Sequence, residues 1–235
     1  MRDTLIVIPT YCERENIGQI APAVVGAIEA DLLVADDDSP DGTADLAEEL
    51  GRNDPRIQVL QRKGRPRGLG PAYVDAFGWA LERGYSFVIQ MDADFSHDPV
   101  HLGALRAACE DADVAIGSRY VPGGETPGWP LARRLISRGG SLYTRTILGL
   151  PIRDTTSGFK CWRAGALRQI GLERVAARGF AFQIEMLYRA RQAGLRLVEV
   201  PVRFCDRRVG QSKMSAKIFI EGLLAVWRIR FAEHR

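Results

Sequence analysis

The sequence contains no apolar run of the roughly 18 residues that a transmembrane helix needs. The nearest approach, Ile218 to Trp227, is too short and contains Glu221, so we expect no membrane-spanning helix. At the N-terminus the first apolar run, Leu5–Ile8, has the length of a strand and is followed at once by Pro9. We therefore expect no signal peptide.

Zinc-binding and disulfide-forming patterns of cysteine and histidine are also missing. The four cysteines are far apart and form no CxxC pair: Cys12, Cys109, Cys161 and Cys205. This usage predicts reduced thiols in a cytoplasmic protein. The three histidines lack the spacing of a zinc site, so no structural zinc is expected.

The net charge is only +3, but it is unevenly distributed. From Pro201 onward the sequence contains eight basic residues and only three acidic ones. The basic residues are Arg203, Arg207, Arg208, Lys213, Lys217, Arg228, Arg230 and Arg235, and the acidic residues are Asp206, Glu221 and Glu233. Such a basic tail is either a solvated face or a surface that binds phosphate or an anionic membrane. We expect no nucleic-acid partner.

Short β-branched runs alternate with helical patterns in the first half of the chain. Five strands are predicted: Thr4–Pro9, Leu32–Asp36, Arg56–Gln61, Ser86–Met91 and Asp113–Gly117. Helices are predicted between them: Asn16–Ala30, Thr43–Gly51, Pro71–Arg83 and Pro99–Glu110. This order predicts an α/β fold whose open, mostly parallel sheet carries helices on both faces.

The pattern changes from Trp129 onward. An Arg-rich helix is predicted over Pro130–Leu148, a late strand over Leu197–Phe204, and then a basic loop, Cys205–Met214. The Arg-rich helix is either a solvated face or an interfacial helix, because large apolar side chains interleave with its cations. The final helix is predicted to be amphipathic, with one apolar face: Ile220, Leu223, Leu224, Trp227 and Phe231.

Asp92-Ala93-Asp94 is the sharpest local signal. It follows the apolar strand ending at Met91, so in extended geometry both carboxylates project to the same side. Two converging carboxylates suit Mg²⁺ or Mn²⁺, which fill their remaining positions with phosphate and water. In parallel sheets ligands bind beyond the carboxyl ends of the strands, which is where this pair lies.

Two further loops have both structural and ligand-binding interpretations. In Asp36–Thr43 the Asp41-Gly42 pair predicts a turn, and Asp41 or Thr43 can cap the next helix. Three consecutive aspartates exceed that need, which suggests hydrogen bonds to a base or ribose. Gly68-Leu69-Gly70 indicates a tight turn or close backbone approach to a ligand, and lacks the third glycine of a dinucleotide fingerprint.

Seven motifs follow one another in an order that resembles the dolichol-phosphate (polyprenyl-phosphate) mannose synthases of glycosyltransferase family 2, which have the GT-A fold. They begin at Pro9-Thr10-Tyr11, Asp36-Asp37, Gly68-Leu69-Gly70, Met91-Asp92-Ala93-Asp94, Gly117-Ser118-Arg119-Tyr120, Ser137-Arg138-Gly139 and Thr156-Ser157-Gly158-Phe159. The resemblance covers nearly the whole chain and looks like the short form without transmembrane helices. It implies a GT-A catalytic domain over 1–204, including the interfacial helix 130–148, and a basic loop with an amphipathic helix over 205–235.

The resemblance also implies a set of site residues. GDP-mannose would be held by residues from the strand ends and the basic loop: Pro9, Tyr11, Glu13, Ala35, Asp37, Asp92, Ala93, Asp94, Arg119, Arg207 and Lys213. Asp92, Asp94 and Arg119 would be catalytic, with Mg²⁺ or Mn²⁺ on the two aspartates. Ser96 stands where some relatives carry a glutamine ligand. Arg133 and Ser137 would receive the phosphate of the polyprenyl acceptor.

The implied reaction agrees with the charge pattern. Transfer to a hydroxyl needs a carboxylate base, whereas a phosphomonoester is already ionised and needs cations to hold it. Glu185 lies where relatives acting on hydroxyls place their base, and is otherwise a salt-bridged helix residue. The expected enzyme is an inverting mannosyltransferase on the cytoplasmic face of a membrane, in peripheral contact with it. The sequence leaves open whether a separate subunit or a fused domain supplies a membrane anchor.

Three alternatives remain. The same fold could use UDP-glucose or another nucleotide sugar on polyprenyl phosphate. A nucleotidyltransferase would need a basic loop after the first strand, where this chain has the acidic Tyr11-Cys12-Glu13. An inactive nucleotide-sugar-binding subunit of a membrane complex is disfavoured by the Asp92 and Asp94 pair and by Arg119.

Overall fold

A computed structural model of the chain describes residues 2–177, 179, 181–205 and 216–232. These residues form seven strands: β1 (Thr4–Thr10), β2 (Asp31–Asp36), β3 (Ile57–Gln61), β4 (Phe87–Gln90), β5 (Val114–Ser118), β6 (Lys160–Arg163) and β7 (Leu197–Pro201). Eight α-helices accompany them: α1 (Arg14–Ala27), α2 (Thr43–Asn53), α3 (Leu69–Glu82), α4 (Leu102–Ala108), α5 (Leu131–Leu148), α6 (Ala164–Gln169), α7 (Ala181–Gln192) and α8 (Ala216–Ala232).

The strands form one sheet in the order β3-β2-β1-β4-β6-β5-β7. All neighbouring pairs are parallel except those of β6, which runs antiparallel to both β4 and β5. The predicted open, mostly parallel sheet with helices on both faces is confirmed. Strand β6 was not predicted, and it places Lys160 and Trp162 between β4 and β5.

Both faces of the sheet are buried, as the period of two along β1 requires. Leu5 and Val7 join one hydrophobic cluster with side chains of α3 and α7, whereas Ile6 and Ile8 join a second with side chains of α1 and α4. A strand that is apolar at every position is typical of such a two-sided sheet. The helices on the two faces leave the carboxyl ends of the strands as the edge where polar side chains collect.

The predicted C-terminal helix is present as α8, and it packs on the first cluster through Val226 and Ile229. Leu224, Trp227 and Phe231, which belong to the apolar face noted from the sequence, are exposed. A helix with apolar residues on more than one side does not reveal by periodicity which side meets the core.

In the part of the chain that the structure describes, no helix is both long enough and apolar enough to cross a bilayer.

Candidate active site

The loop after β4 carries the predicted carboxylate pair. Asp94 is buried, and its Oδ1 accepts a hydrogen bond from the Ser96 backbone N–H at 3.0 Å. The Asp92 backbone N–H donates to Nδ1 of the buried His97 at 3.0 Å, so the imidazole proton of the neutral tautomer lies on Nε2. That nitrogen is 4.0 Å from Asp92 Oδ2. Burial lowers the pKa of His97 despite the nearby carboxylates, which keeps the ring neutral.

Close packing below this loop fixes His97. The ring of Phe159 stacks on it, with 4.8 Å between centroids. A methyl group on Gly158 would lie 3.3 Å from His97 Cε1 and 3.7 Å from Asp92 Oδ1. A side chain at this position would press on the His97 ring, so glycine favours the close approach. The loop that carries the carboxylates is held by the packed residues Gly158 and Phe159, both of which lie in a motif singled out from sequence.

The donor set of this loop suits a divalent cation shared with a diphosphate. Among the described residues, no group of three or more His, Cys, Asp and Glu side chains is arranged to enclose a metal. His97 uses Nδ1 as an acceptor from backbone and is not available there as a ligand. Mg²⁺ and Mn²⁺ commonly bind through one or two carboxylates, with phosphate and water completing the shell. Asp92 and Asp94 fit that arrangement.

Arg119, directly after β5, is clamped by a carboxylate that sequence reasoning missed. Its Nε and Nη2 donate to Asp154 Oδ2 and Oδ1 at 2.7 and 2.6 Å, and Nη2 also reaches Thr156 Oγ1 at 2.8 Å. Burial pushes the pKa of Asp154 upward, but the Arg119 guanidinium outweighs it and the pKa falls below its ordinary value. The pair therefore stays charged, with the guanidinium held in one orientation.

A buried polar network lies under the site on β4 and β6. The Lys160 ammonium donates to the Ser157 carbonyl and to Gln183 Oε1, the latter at 2.5 Å. Gln90 accepts from Trp162 Nε1 at 2.7 Å and donates to Gln183 Oε1 at 3.4 Å. Burial lowers the pKa of Lys160 to about 7, although Asp154 and Asp92 oppose the shift. Only the neighbouring Thr156–Phe159 motif could have indicated Lys160 from sequence.

On the nucleotide side, Tyr11 is exposed at the end of β1 and is covered by Arg67. The Arg67 guanidinium carbon lies 4.9 Å from the Tyr11 ring centroid, and Nη1 donates to the tyrosine hydroxyl at 3.2 Å. Nη2 reaches the Asp38 carbonyl at 3.2 Å. Arg67 was not predicted as a site residue, and it joins the loops after β1, β2 and β3.

The consecutive aspartates are used largely inside the protein. Asp36 accepts from Thr10 Oγ1 at 2.9 Å and from Ser39 Oγ at 2.6 Å. Asp37 forms an ion pair with the buried Arg62 and accepts from the Gly68 backbone N–H at 2.7 Å. The side chains thus organise the loops around the predicted nucleotide site, and a ribose or base contact by Asp37 stays a prediction.

Gly68 and Gly70, at the start of α3, allow a turn and the close packing of the chain against a neighbouring segment. Gly68 has a φ of +130°, a backbone conformation that is strained in any residue with a side chain. A Cβ on Gly70 would lie 2.5 Å from the Ala177 carbonyl oxygen, which is too close for any other residue. Of the two interpretations of this motif, the structure therefore supports a turn with tight packing.

Two further residues of the predicted nucleotide site, Pro9 and Ala35, lie on the adjacent strands β1 and β2. Pro9 and Ala35 are partners in the parallel register, and Ala35 is fully buried in the core. Glu13 Oε2 accepts from Asn16 Nδ2 at 2.6 Å. Ala93 is buried between the two aspartates of the carboxylate pair. Arg207 and Lys213 lie outside the described residues.

The predicted acceptor residues lie on α5. The Arg133 guanidinium carbon is 4.0 Å from the Trp129 ring centroid. Ser137 Oγ, one turn further on, accepts from the Tyr120 hydroxyl at 2.5 Å. Since Tyr120 follows Arg119 in the chain, this bond ties the acceptor helix to the residue predicted beside the donor phosphates.

Phe204 connects the carboxylate loop with the acceptor helix. Its ring is in T-shaped contact with the rings of His97 and Trp129, and the distances between ring centroids are 5.5 and 5.4 Å. The Arg119 guanidinium carbon lies 5.2 Å from the same ring. The structure therefore brings the carboxylates, Arg119 and the start of α5 into one contiguous cluster.

Glu185 on α7 is occupied by other groups. Its Oε1 accepts from Arg189 Nε at 2.8 Å, and Oε2 accepts from the backbone N–H groups of Ala176 and Ala177 at 3.2 and 2.7 Å. Of the two interpretations offered by the sequence, a catalytic base and a salt-bridged helix residue, the structure supports the second. A carboxylate that holds three donors is poorly suited to remove a proton from a substrate.

Comparisons with known proteins show the family to which the chain belongs. Residues 5–171 match the profile of Glycosyl transferase family 2. Undecaprenyl-phosphate mannosyltransferase of Micrococcus luteus is 46% identical over 95% of this chain and 92% of its own length. Polyprenol monophosphomannose synthase of Mycolicibacterium smegmatis is 44% identical over 97% of this chain and 87% of its own. The dolichol-phosphate mannosyltransferase of Pyrococcus furiosus is 36% identical, and this chain spans 62% of it.

Among solved structures, the fold is similar to that of glucosyl-3-phosphoglycerate synthase from Mycobacterium tuberculosis, crystallised with Mn²⁺, UDP and its product. The TM-score is 0.72 over 98% of this chain and 80% of that one, with 18% sequence identity. At this identity the likeness shows the fold alone. It confirms the predicted GT-A architecture.

Proposed function

Since this chain belongs to glycosyl transferase family 2 and is a glycosyltransferase, we propose that it transfers mannose from GDP-mannose to a polyprenyl phosphate. The products would be polyprenyl phosphate mannose and GDP. The names of the bacterial relatives described above support mannose and a polyprenyl phosphate acceptor. GDP as the nucleotide rests on the resemblance of the motifs around Pro9 and Asp37.

One observation carries the choice of acceptor: the occupied carboxylate of Glu185. Three N–H groups bind it in the position where transfer to a hydroxyl would require a base. A phosphomonoester needs no base, because its oxygen is ionised at neutral pH. What it does need is positive charge, and the described cluster provides Arg119 and Arg133 beside Trp129.

The proposed reaction is a single displacement. The acceptor phosphate oxygen forms a bond to the anomeric carbon on the side opposite the diphosphate, while the bond from that carbon to the diphosphate oxygen breaks and GDP leaves. This geometry inverts the anomeric configuration, giving a β-linked mannosyl phosphate. No proton has to be removed from the acceptor.

Asp92 and Asp94, with Ser96 nearby, would hold Mg²⁺ or Mn²⁺ together with the donor diphosphate. When bound, the cation would neutralise negative charge on the leaving GDP. Arg119 would lie by the same phosphates, in an orientation that Asp154 and Thr156 maintain. The predicted contributions of Arg207 and Lys213 belong to this proposal as residues of a loop that closes on the nucleotide.

Contact with a membrane surface is part of the proposal. Helix α5 exposes four large apolar side chains, Leu131, Leu135, Ile136 and Leu142, and α8 exposes Leu224, Trp227 and Phe231. The two helices touch, since the Tyr143 hydroxyl donates to the Leu223 carbonyl at 3.2 Å. Apolar side chains interleaved with arginines are typical of helices that lie in a bilayer interface.

We place this contact on the cytoplasmic face of the membrane, where the four free cysteines would stay reduced. The division into a catalytic domain, residues 1–204, and an appended segment, residues 205–235, is kept as part of the proposal. An anchoring partner would strengthen the contact, because a single small apolar contact holds a protein only marginally.

Acceptor selection tests the proposal. The purified protein is incubated with radiolabelled GDP-mannose, Mn²⁺ and either a polyprenyl phosphate or the matching polyprenol. We expect label in the lipid phase only with the phosphate, and mild acid to release it as mannose. Equal labelling of the polyprenol would contradict the assignment and return Glu185 to consideration as a base.

A further inference from the structure

Trp129 contains a buried hydrogen-bond donor without an acceptor. The side chain immediately precedes α5 and is only 6% exposed. Within the described part of the chain, its Nε1–H finds no partner. Indole N–H groups that are buried usually have one, and an orphaned donor destabilises the folded protein. A ligand that supplies an acceptor would remove this penalty.

The surroundings of Trp129 indicate what kind of acceptor is missing. The guanidinium carbons of Arg133 and Arg119 lie 4.0 and 5.6 Å from its ring centroid. Guanidinium groups donate hydrogen bonds and accept none, so the side chains closest to the indole cannot satisfy it. An N–H donor among cations favours an anion with several acceptor oxygens.

The start of α5 adds a second, independent set of donors. The helix begins at Leu131 after Pro130, which has no side chain that could cap it, and its first turn contains no acidic residue. The first backbone N–H groups of a helix lack intrahelical acceptors and lie at the positive end of the helix dipole. Such an end of an 18-residue helix binds phosphate groups readily.

We propose that the Trp129 indole N–H donates a hydrogen bond to the phosphate of the lipid acceptor, which sits at the first turn of α5 beside Arg133. This inference rests on the proposed function for the nature of the acceptor. Trp129 is then a binding residue and more than a surface on which Arg133 packs. The exposed Leu131 and Leu135 on the same turns place this phosphate where a lipid head group would meet the protein.

Trp129→Phe tests the donor while keeping an aromatic ring for Arg133. We expect the KM for polyprenyl phosphate to rise about tenfold or more, as loss of a hydrogen bond to a charged group implies. The KM for GDP-mannose should change less than about twofold. Trp79→Phe is the matched control, because Trp79 also packs against an arginine, with Arg83 at 3.9 Å, and is outside the site. It should change neither constant.

A binding measurement keeps the test valid if Trp129→Phe folds poorly. The four tryptophans of the full chain are labelled with ¹⁵N at the indole, and the Trp129 signal is assigned by its loss in the variant or by single-site labelling. Titration with n-hexyl phosphate, without donor or membrane, should move the Trp129 indole proton downfield. Hexanol should not move it, and inorganic phosphate should do so only at higher concentration.

The outcomes separate this inference from the proposed function. If wild-type enzyme transfers mannose but the Trp129 signal does not respond and the acceptor KM is unchanged, the inference fails and the function stands. If hexyl phosphate moves the signal but no mannose is transferred, the function fails and only the binding of a phosphomonoester by Trp129 stands. A signal that follows GDP with Mg²⁺ instead, or a shift with no change in acceptor KM, also overturns the inference.

Discussion

Arg119 and Asp154 form a bidentate ion pair in the interior of the protein, with N–O distances of 2.7 and 2.6 Å. Asp154 is completely buried, and its own backbone N–H donates to Glu199 Oε1 at 2.9 Å. The carboxylate therefore comes from a loop that is itself held by β7. This arrangement fixes the guanidinium next to the aromatic cluster at the site.

Replacing Asp154 with Asn should strongly destabilise the protein. The change would leave the Arg119 charge buried without its counter-charge, which typically costs about 3–5 kcal/mol. The free energy of unfolding, measured by urea denaturation, should fall by that amount. Asp54→Asn is the control, since Asp54 pairs with Arg56 at 2.6 Å near the surface and should lose only about 1 kcal/mol. Equal losses in the two variants would show that burial of the Arg119 pair is unimportant.

Lys160 should make stability depend on pH in the neutral to alkaline range. Burial lowers its pKa to about 7 in the folded protein, from the ordinary 10.5. Between these values the unfolded chain binds the proton and the folded chain does not, so stability rises with pH, by at most about 1.4 kcal/mol per unit. Lys160→Met removes this contribution. The difference in unfolding free energy between wild type and Lys160→Met should therefore change from pH 7 to 9, and a constant difference would contradict the lowered pKa.

The exposed apolar side chains of α5 should contribute to membrane binding. Leu135→Glu should lower binding to anionic vesicles about tenfold, because the leucine loses apolar contact and the added charge is repelled. Vesicle sedimentation measures this. Val100→Glu is the control, since Val100 is also exposed but belongs to the short helical turn before α4 and not to α5 or α8. The same loss in both variants would indicate that charge alone, with no defined surface, governs binding.

Much of the α/β scaffold follows from the sequence because its strands are short, apolar and separated by amphipathic helices. Two elements that the sequence pattern missed have different physical causes. Helix α7 is buried on nearly all sides, so its residues show no apolar stripe. Strand β6 contains Lys160 and Arg163, which no strand pattern favours. Lys160 is tolerated there because two acceptors bind its ammonium group.

The site was predictable where a motif directly follows a strand. Asp92, Asp94 and Arg119 lie in one cluster because β4 and β5, with β6 between them, end at the same edge of the sheet. Asp154, which supports Arg119, was not predictable, because the contact joins segments 35 residues apart in the sequence. Asp37 was predicted from sequence to bind the nucleotide. In the structure its carboxylate pairs with Arg62 and accepts a hydrogen bond from the Gly68 backbone N–H.

Asp94→Ala should abolish transfer while leaving the protein folded. We expect turnover to fall at least about a thousandfold, because the carboxylate pair would no longer hold the cation at the donor diphosphate. Asp98→Ala is the control. Asp98 lies in the same loop region, but its carboxylate caps a short helical turn by accepting from Val100 N–H at 3.0 Å. The Asp98→Ala variant should lose some stability and keep its activity. Near-normal turnover by a folded Asp94→Ala variant would contradict the metal-binding role of Asp94.

The central claim is transfer of mannose from GDP-mannose to a polyprenyl phosphate with a divalent cation. The most direct measurement offers the purified protein a polyprenyl phosphate with radiolabelled GDP-mannose, UDP-glucose or UDP-N-acetylglucosamine, each with Mn²⁺ or with EDTA. We expect a labelled lipid from GDP-mannose alone, only with the cation, and a β configuration at the mannosyl phosphate by NMR. Preferential use of a UDP-sugar, or undiminished transfer in EDTA, would contradict it.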